Sequence, residues 1–246
     1  MKFIFIGMGG TNSLAIRPFL MFLNSTEIPN KEVLIIDGDS YESKNLERQD
    51  FNPLFINKNK AETKAKEFKS LFPGIIVKAV PKYIDEDSVD YHIVAGDVVF
   101  LAVDCLKTRK LVDDFAQTLS NILIVSMGNE MTDGDVQVFC KVNGEVLTPS
   151  IQDGHPEISK ATVKSRSKMS CEEIAALPSG GQLIFANLQA ATAGISIAWG
   201  ILMATDFLMT PTIPLTRGVY FDIQLMKMRP VTNSIKELPD FKAVEV

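Results

Sequence analysis

An α/β fold, with a mostly parallel sheet and helices on both of its faces, is predicted by two hydrophobic patterns that alternate along the first half of this 246-residue chain. Short continuous apolar runs indicate buried strands. Between them lie longer stretches whose apolar residues recur at helical spacing, and this alternation is typical of a parallel sheet. The strands are predicted at residues 3–6, 33–36, 75–80, 98–103 and 122–126, and the helices at 14–23, 60–72 and 106–119.

The second half of the chain predicts an antiparallel extension of that sheet. Residues 136–141 alternate in polarity, and Asn143-Gly144 is a favourable hairpin turn. The apolar pattern breaks down over residues 147–181, which predicts a long crossover loop. Beyond it we expect an Ala-rich helix at residues 184–202, suited to close packing or a dimer interface, then two terminal strands within 218–228 and a surface tail at 233–246.

Composition narrows the class of protein. The net charge of −5 argues against a nucleic-acid partner, which favours a basic surface. Three scattered cysteines indicate no disulfide framework and favour a cytoplasmic location. The first residues resemble a strand more than a signal peptide. The longest apolar segment, 183–209, contains Asn187, Gln189 and Asp206, and so fits a buried helix better than a membrane span.

A glycine-rich turn follows the first predicted strand. Gly7, Gly9 and Gly10 lie between that strand and a helix, so their backbone and the amides of the helix N-terminus can approach a phosphate. This arrangement is Rossmann-like. The usual third glycine of the dinucleotide fingerprint is replaced by Asn12, and an acid stands at the end of the second strand, at Asp37.

The loop that follows the second predicted strand has groups for both halves of a nucleotide. Asp37 lies where a carboxylate can accept hydrogen bonds from ribose hydroxyls, and Asp39 can shape the loop through its own backbone. Asn45 and Arg48 suit phosphate oxygens, which an arginine can bind with two hydrogen bonds. Gln49 can orient Arg48 or the loop. The sequence therefore predicts a nucleotide site formed by this loop and the glycine turn.

These motifs together resemble the ThiF/MoeB family, relatives of the ubiquitin-activating enzymes. The resemblance covers roughly residues 1–140, and a weaker similarity runs through 170–198. Further matching segments are the helix start at Lys60, the strand that ends at Asp104 with Arg109 five residues later, and the strand and hairpin at 122–128 and 134–139. We expect a single adenylation domain over 1–246, with a nucleotide-binding core at 1–142, a crossover loop at 143–182, a helix and terminal strands at 183–232, and a tail.

The resemblance implies a reaction and its cofactors. ATP would be bound by the glycine turn and the loop, with Lys60 at the family's lysine position, although Lys58, Lys64 and Lys66 are rivals. Asp104 would bind Mg²⁺, which prefers one or two carboxylates plus phosphate oxygens. The implied activity is adenylation of the C-terminal carboxylate of a ubiquitin-like or sulfur-carrier protein ending in Gly-Gly, by a homodimer that contacts neither nucleic acid nor membrane.

The sequence lacks some features of this family and leaves the role of one cysteine open. Cys171 lies where relatives often have a reactive cysteine, whereas Cys105 and Cys140 have strand-like apolar contexts that predict buried, inert thiols. Cys-x-x-Cys zinc motifs are missing, so we expect no structural zinc. An N-terminal extension that supplies an arginine to the partner subunit's site in many relatives is missing too. His92 and His155 have no partner motif and are predicted to be surface residues.

Two alternatives stay open at the level of sequence. A nicotinamide-dependent oxidoreductase would use the glycine turn, but hydride transfer does not require Asn45 and Arg48. A non-catalytic nucleotide-binding or scaffold subunit is the second alternative, since the arginine-supplying extension is missing. The motif residues at Asp37, Arg48, Lys60 and Asp104 favour the enzyme over the scaffold.

Overall fold

The computed structural model describes residues 1–160, 183–204 and 216–232. They form one nine-stranded sheet in the order β3-β2-β1-β4-β5-β6-β8-β9, with β7 paired to β6. The strands are β1 Lys2–Ile6, β2 Glu32–Ile36, β3 Ile76–Val80, β4 Asp97–Leu101, β5 Ile122–Asn129, β6 Asp133–Val142, β7 Glu145–Val146, β8 Thr216–Asp222 and β9 Lys227–Thr232. The α-helices are α1 Gly10–Ser25, α2 Lys60–Leu71, α3 Val89–His92, α4 Leu106–Thr118, α5 Ile151–Gly154, α6 Pro156–Ser159 and α7 Ile184–Ala204.

The predicted fold class is confirmed. Strands β1 to β5 are mutually parallel, and β6, β8 and β9 add antiparallel strands beside β5. The hairpin turn at Asn143-Gly144 joins β6 to β7, and both residues have positive φ. The largest boundary differences are at the start of α1, which begins at Gly10 instead of residue 14, and at the end of β9, which runs to Thr232 instead of residue 228. Strand β5 also runs beyond its predicted end, to Asn129, because it pairs with β6 along its whole length.

Two apolar layers cover the faces of the sheet. On one face, Phe3, Phe5 and Phe100 from the strands pack with Phe19 of α1, and their layer also takes in residues of α2 and α7. On the other face, β-strand isoleucines and leucines pack against α3, α4, α5 and α6. Because the central strands are buried on both sides, their sequences are continuous apolar runs rather than alternating ones.

The crossover segment departs from the predicted loop at its beginning. Residues 151–159 form α5 and α6, two helices too short to produce a periodic pattern. Asp113, a fully buried residue of α4, accepts hydrogen bonds from the Ile151 amide at 3.1 Å and the Gln152 amide at 3.3 Å. Burial raises the pKa of the Asp113 carboxyl. The rest of the crossover prediction, with Cys171, lies outside the described residues.

Helix α7 is apolar on all sides. Residues Ile184–Leu202 are long and apolar enough to span a membrane, and 44% of this stretch is buried in the protein. Its buried alanines pack against α1 and the sheet, while Phe185, Leu188 and Trp199 are exposed on the opposite face. The packing of its other face against α1 is that of a core helix, and a core helix passes the same length and hydropathy test.

Candidate nucleotide-binding site

The carboxyl ends of the three central strands meet at one edge of the sheet. Ile6 pairs with Ile36 of β2 and with Leu101 of β4, so β1, β2 and β4 end level with one another. Gly7, Asp37 and Asp104 follow these ends. The order of the strands along the chain reverses here, because β2 and β3 lie on one side of β1, and β4 and β5 lie on the other. The carboxyl edge at such a reversal is the usual ligand crevice of an open α/β sheet.

The glycine turn is shaped by two close approaches. Gly7 has φ +81°, and a Cβ there would lie 2.6 Å from the carbonyl oxygen of Ala102. Gly9 is the N-cap of α1, without a side-chain cap, and a Cβ there would meet nothing within 4 Å. The glycine turn thus leads into the N-terminus of a 16-residue helix without a side-chain cap, and the first amides of such a helix lack intrahelical partners and suit an anion.

Asn12 explains why the third glycine of the fingerprint is absent. It is fully buried, and its side-chain amide donates to the carbonyls of Ile6 at 3.1 Å, Gly7 at 2.8 Å and Phe100 at 3.2 Å. These carbonyls belong to the ends of β1 and β4. In this chain the Asn12 side chain therefore joins α1 to β1 and β4 by hydrogen bonds. A glycine at this position would instead let the helix and the strands pack closely.

Asp37 is buried at the end of β2. Its carboxylate accepts hydrogen bonds from the Met8 amide and from the Asp39 amide, the latter at 2.7 Å. Burial raises the pKa of Asp37, against the opposing effects of Lys60 and these two amides. The Asp37 side chain therefore links the glycine turn to the loop that follows β2, the two segments that the sequence predicts to form one nucleotide site.

Asp39 and Lys60 form an ion pair of 3.2 Å, and the ammonium group is nearly buried. Tyr83, which follows β3, donates a hydrogen bond from its hydroxyl to Asp39, and its ring lies against Gly38. Burial and this hydrogen bond raise the pKa of the Tyr83 hydroxyl. Sequence analysis missed Tyr83, because a single exposed tyrosine after a strand has no motif around it.

The predicted phosphate-binding residues lie in and just after a short 3₁₀ helix, Ser43–Glu47. Asn45 is buried, and its side-chain oxygen accepts from the Glu42 amide at 2.9 Å, so part of its role is to hold the loop. Arg48 is half-buried directly after this helix. Gln49 is 7% exposed, and its side-chain oxygen has no hydrogen-bond partner among the residues that the structure describes.

Asp104 and Arg109 differ in their surroundings. Asp104 is exposed beyond the end of β4 and makes no ion pair within the described parts of the chain. Arg109 instead donates to the Val103 carbonyl at 2.9 Å, to the Ser126 hydroxyl and to the Met127 carbonyl at 2.7 Å. Burial lowers its pKa, while Asp135 and Asp104 oppose that effect. Arg109 therefore fastens α4 to β5.

The four lysines near the start of α2 differ in how deeply they are buried. Lys58 and Lys66 are exposed, as expected of surface residues. Lys64, another rival of Lys60, is 1% exposed and is therefore not a surface residue. Its ammonium group contacts Glu67 at 3.1 Å and Asp50 at 3.7 Å, which offset its desolvation. Lys60 is the lysine that contacts the loop carrying Asp37 and Asp39.

Two of the minor predictions are corrected. Cys105 is not in a strand but at the N-cap of α4, and it is partly exposed because β4 ends at Leu101. His155 is no isolated surface histidine, since its Nε2 contacts Asp135 and its Nδ1 contacts Glu157, both at 2.7 Å. Cys140 is buried as predicted, and burial raises the pKa of its thiol to about 12.

His155 gives this region a predicted pH dependence. Its two carboxylate partners raise the pKa to about 8 from an ordinary 6.5. Since the folded-state pKa is raised, the stabilisation is complete below about pH 6.5 and is lost as the pH rises through about 8. We expect His155→Gln to lower the free energy of unfolding by about 1–2 kcal/mol more at pH 6 than at pH 9.

Urea unfolding at the two pH values measures this difference. His92→Gln is the matched control, because His92 is a partly exposed histidine of α3 whose pKa is lowered by burial and Lys2. An equal loss for His155→Gln at pH 6 and pH 9 would show that the two ion pairs contribute nothing to stability.

The fold and the site together define a nucleotide-binding α/β protein. The chain belongs to the ThiF family, whose sequence model matches residues 1–237. No curated protein matches the chain in sequence.

Solved structures are similar in fold. E. coli MccB with ATP has a TM-score of 0.65 at 16% identity, covering 94% of this chain and 62% of MccB. The Microcin C7 biosynthetic enzyme MccB in complex with N-formylated MccA has a TM-score of 0.64 at 16% identity, covering 94% and 64%. PaaA has a TM-score of 0.61 at 14% identity, covering 94% and 63%. The chain therefore spans less than two thirds of the length of these neighbours.

Proposed function

We propose that this chain uses ATP to adenylate the C-terminal carboxylate of a peptide or small carrier protein. The observation that carries the proposal is the meeting of four features at one sheet edge: the open N-terminus of α1, buried Asp37, the Lys60–Asp39 pair and exposed Asp104. Membership of the ThiF family and the fold of MccB with ATP support it.

The residues divide the work between binding and charge neutralisation. Asp37 would accept hydrogen bonds from the ribose hydroxyls. Asp39 would also accept them once it released its hydrogen bond from the Tyr83 hydroxyl. The amides of α1 and the side chains of Arg48 and Lys60 would stabilise negative charge that builds on the phosphates as the carboxylate attacks the α-phosphorus and pyrophosphate leaves. No covalent bond to the protein is needed in this step, because positioning and electrostatics suffice.

Asp104 suits a magnesium ion shared with the phosphates. An exposed carboxylate at a strand end, without an ion pair among the described residues, leaves its oxygens available. The described residues contain no cluster of three or more His, Cys, Asp or Glu side chains that could hold a metal by themselves. This fits Mg²⁺, which commonly takes one or two carboxylates plus phosphate oxygens, and when bound it would neutralise phosphate charge.

Pyrophosphate exchange tests the proposal. Wild-type chain, Mg²⁺ and a candidate substrate should incorporate labelled pyrophosphate into ATP, because adenylation is reversible. Substrates of two kinds are compared, a short peptide and a ubiquitin-like or sulfur-carrier protein ending in Gly-Gly. The MccB complexes with MccA favour the peptide, and the sequence resemblance favours the carrier. ATP binding without exchange on any substrate would favour a scaffold subunit instead.

Transfer to a thiol is a separable extension of this proposal. Cys171 lies outside the described residues and is proposed only from its place in the sequence. We also propose a cytoplasmic location, in which its thiol would stay reduced. Adenylation needs no nucleophile from the protein, whereas thioester formation does. Cys171→Ala should therefore keep pyrophosphate exchange and lose any thiol-sensitive adduct in intact-mass spectra. An adduct that persists in this variant would exclude Cys171, with Cys140→Ala as the control.

Homodimerisation is proposed from an apolar groove of about 440 Å³ between α7 and the β8–β9 hairpin, lined by Phe185, Leu188 and Met226 among others. Phe185 is 66% exposed and Met226 88%, and exposed apolar patches of this kind mark interaction surfaces. We expect a sedimenting mass of twice the 27.1 kDa chain at micromolar concentration. Phe185→Glu should give monomers, and Tyr91→Glu, at an 81% exposed site on α3, should not. A monomeric wild type would contradict this.

A further inference from the structure

A second polar cluster lies beside the glycine turn, on elements that sequence analysis did not connect. The Thr11 hydroxyl, in the first turn of α1, lies 3.2 Å from Asn129 Oδ1 at the end of β5 and 3.3 Å from Asn187 Oδ1 in the first turn of α7. Thr11 and Asn187 are both buried. The cluster therefore ties the first helix, the last parallel strand and the helix that follows the crossover segment to one point.

Asn187 is the unusual member of this cluster. It is fully buried, yet within the described parts of the chain its side-chain Nδ2 has no hydrogen-bond partner. A buried amide donor without a partner is destabilising by about 1–3 kcal/mol, so native structures nearly always satisfy such groups with protein, water or ligand.

The position of this donor places it beside the glycine turn. A Cβ on Gly10 would lie 2.4 Å from Asn187 Nδ2, 2.6 Å from its Cγ and 2.7 Å from its Oδ1, so the whole amide group packs against the first turn of α1. A Cβ on Gly9, the N-cap of that turn, would meet nothing within 4 Å, and the turn has no side-chain cap. The Asn187 amide therefore lies next to the helix N-terminus at which we predict that an anion binds.

We infer that Asn187 donates a hydrogen bond to the phosphate groups of bound ATP, directly or through one ordered water. The inference rests on the proposed function, and it adds a residue from beyond the crossover segment to a site otherwise formed by residues 1–104. It also gives a reason for the glycine at position 10, since any Cβ there would occupy the place of the Asn187 amide.

Asn187→Asp is the sharpest test because it replaces only the NH₂ group of the side-chain amide, by an oxygen. Asp keeps an oxygen to accept from Thr11 and nearly the same volume, but it replaces the donor by a negatively charged acceptor. We expect the Kd for ATP, measured by calorimetry, to rise about tenfold or more, as loss of a hydrogen bond to a charged group predicts. The Kd for adenosine, which has no phosphate, should change by less than about twofold.

Asn24→Asp is the matched control. It makes the same amide-to-carboxylate change at an exposed residue in the last turn of α1, at the opposite end of that helix from the glycine turn. We expect it to bind ATP as wild type does. An ATP Kd for Asn187→Asp within twofold of wild type, or an equal loss of affinity in Asn24→Asp, would overturn the inference.

A second variant covers the case in which a buried carboxylate prevents folding. Asn187→Ala removes the donor without adding charge, and melting without nucleotide reports its stability separately from ATP affinity. The inference predicts weaker ATP binding with adenosine binding kept, whereas a purely structural Asn187 would lower both equally or neither. If the wild type binds no ATP, the proposed function itself is wrong. If both Asn187 variants bind ATP as the wild type does, only this inference is wrong.

Discussion

Asp104→Ala should abolish pyrophosphate exchange. The carboxylate is exposed beyond β4, outside the apolar layers, so its loss leaves the fold intact. Without it, the ion that neutralises the phosphates would lose its protein ligand. Removing one group that stabilises transition-state charge commonly lowers kcat by about 10²–10³. We expect at least that loss in exchange assays at saturating ATP.

Arg48→Ala should reduce exchange to a similar extent, because a half-buried arginine beside the loop of Asp37 can bind phosphate oxygens with two hydrogen bonds. Arg48→Lys keeps the charge but not the planar pair of donors, and should recover only part of the activity. Recovery to the wild-type rate would show that only the charge matters.

Matched controls separate these effects from a general change of charge. Asp90→Ala removes an exposed carboxylate in the first turn of α3, and Arg17→Ala removes an exposed guanidinium from α1. Both should exchange at the wild-type rate. If Asp104→Ala and Arg48→Ala did so as well, the assignment of the phosphate site would be wrong, although the fold would stand.

Local patterns predicted the elements of the fold well because each central strand is buried on both faces. Such strands are continuous apolar runs, and Gly7 and Asp37 follow directly on the ends of β1 and β2. The parallel arrangement explains why Gly7, Asp37 and Asp104 share an edge. Parallel strands that begin and end together bring those positions to one crevice, whatever the details of side-chain packing.

The missed features depend on contacts between distant parts of the chain. Asn187 meets Thr11 across 176 positions, and Tyr83 meets Asp39 across 44. Lys64 is read as a surface lysine from a helix rich in charge, yet Glu67 and Asp50 make its burial tolerable. No periodicity marks such pairs, so they emerge only when the elements are placed in three dimensions.

Gly7→Ala should be the most destabilising single-methyl change in the turn. The residue has φ +81°, a conformation that L side chains rarely adopt, and the new Cβ would lie 2.6 Å from the Ala102 carbonyl oxygen and 2.7 Å from Val103 Cγ1. The carbonyl belongs to backbone just beyond β4 and cannot rotate away as a side chain can. We expect a loss of about 2–4 kcal/mol in the free energy of unfolding, measured in urea.

Gly9→Ala adds the same methyl group two residues later and isolates the cause. Its φ of −78° is ordinary for any residue, and a Cβ there meets nothing within 4 Å. Its stability should fall by only about 0.5–1 kcal/mol, because alanine is a poorer N-cap than glycine but the new methyl group meets no clash. Equal stability of the two variants would mean that the turn relaxes freely. In that case Gly7 would be present for the approach of phosphate and not for the joining of β1 to α1.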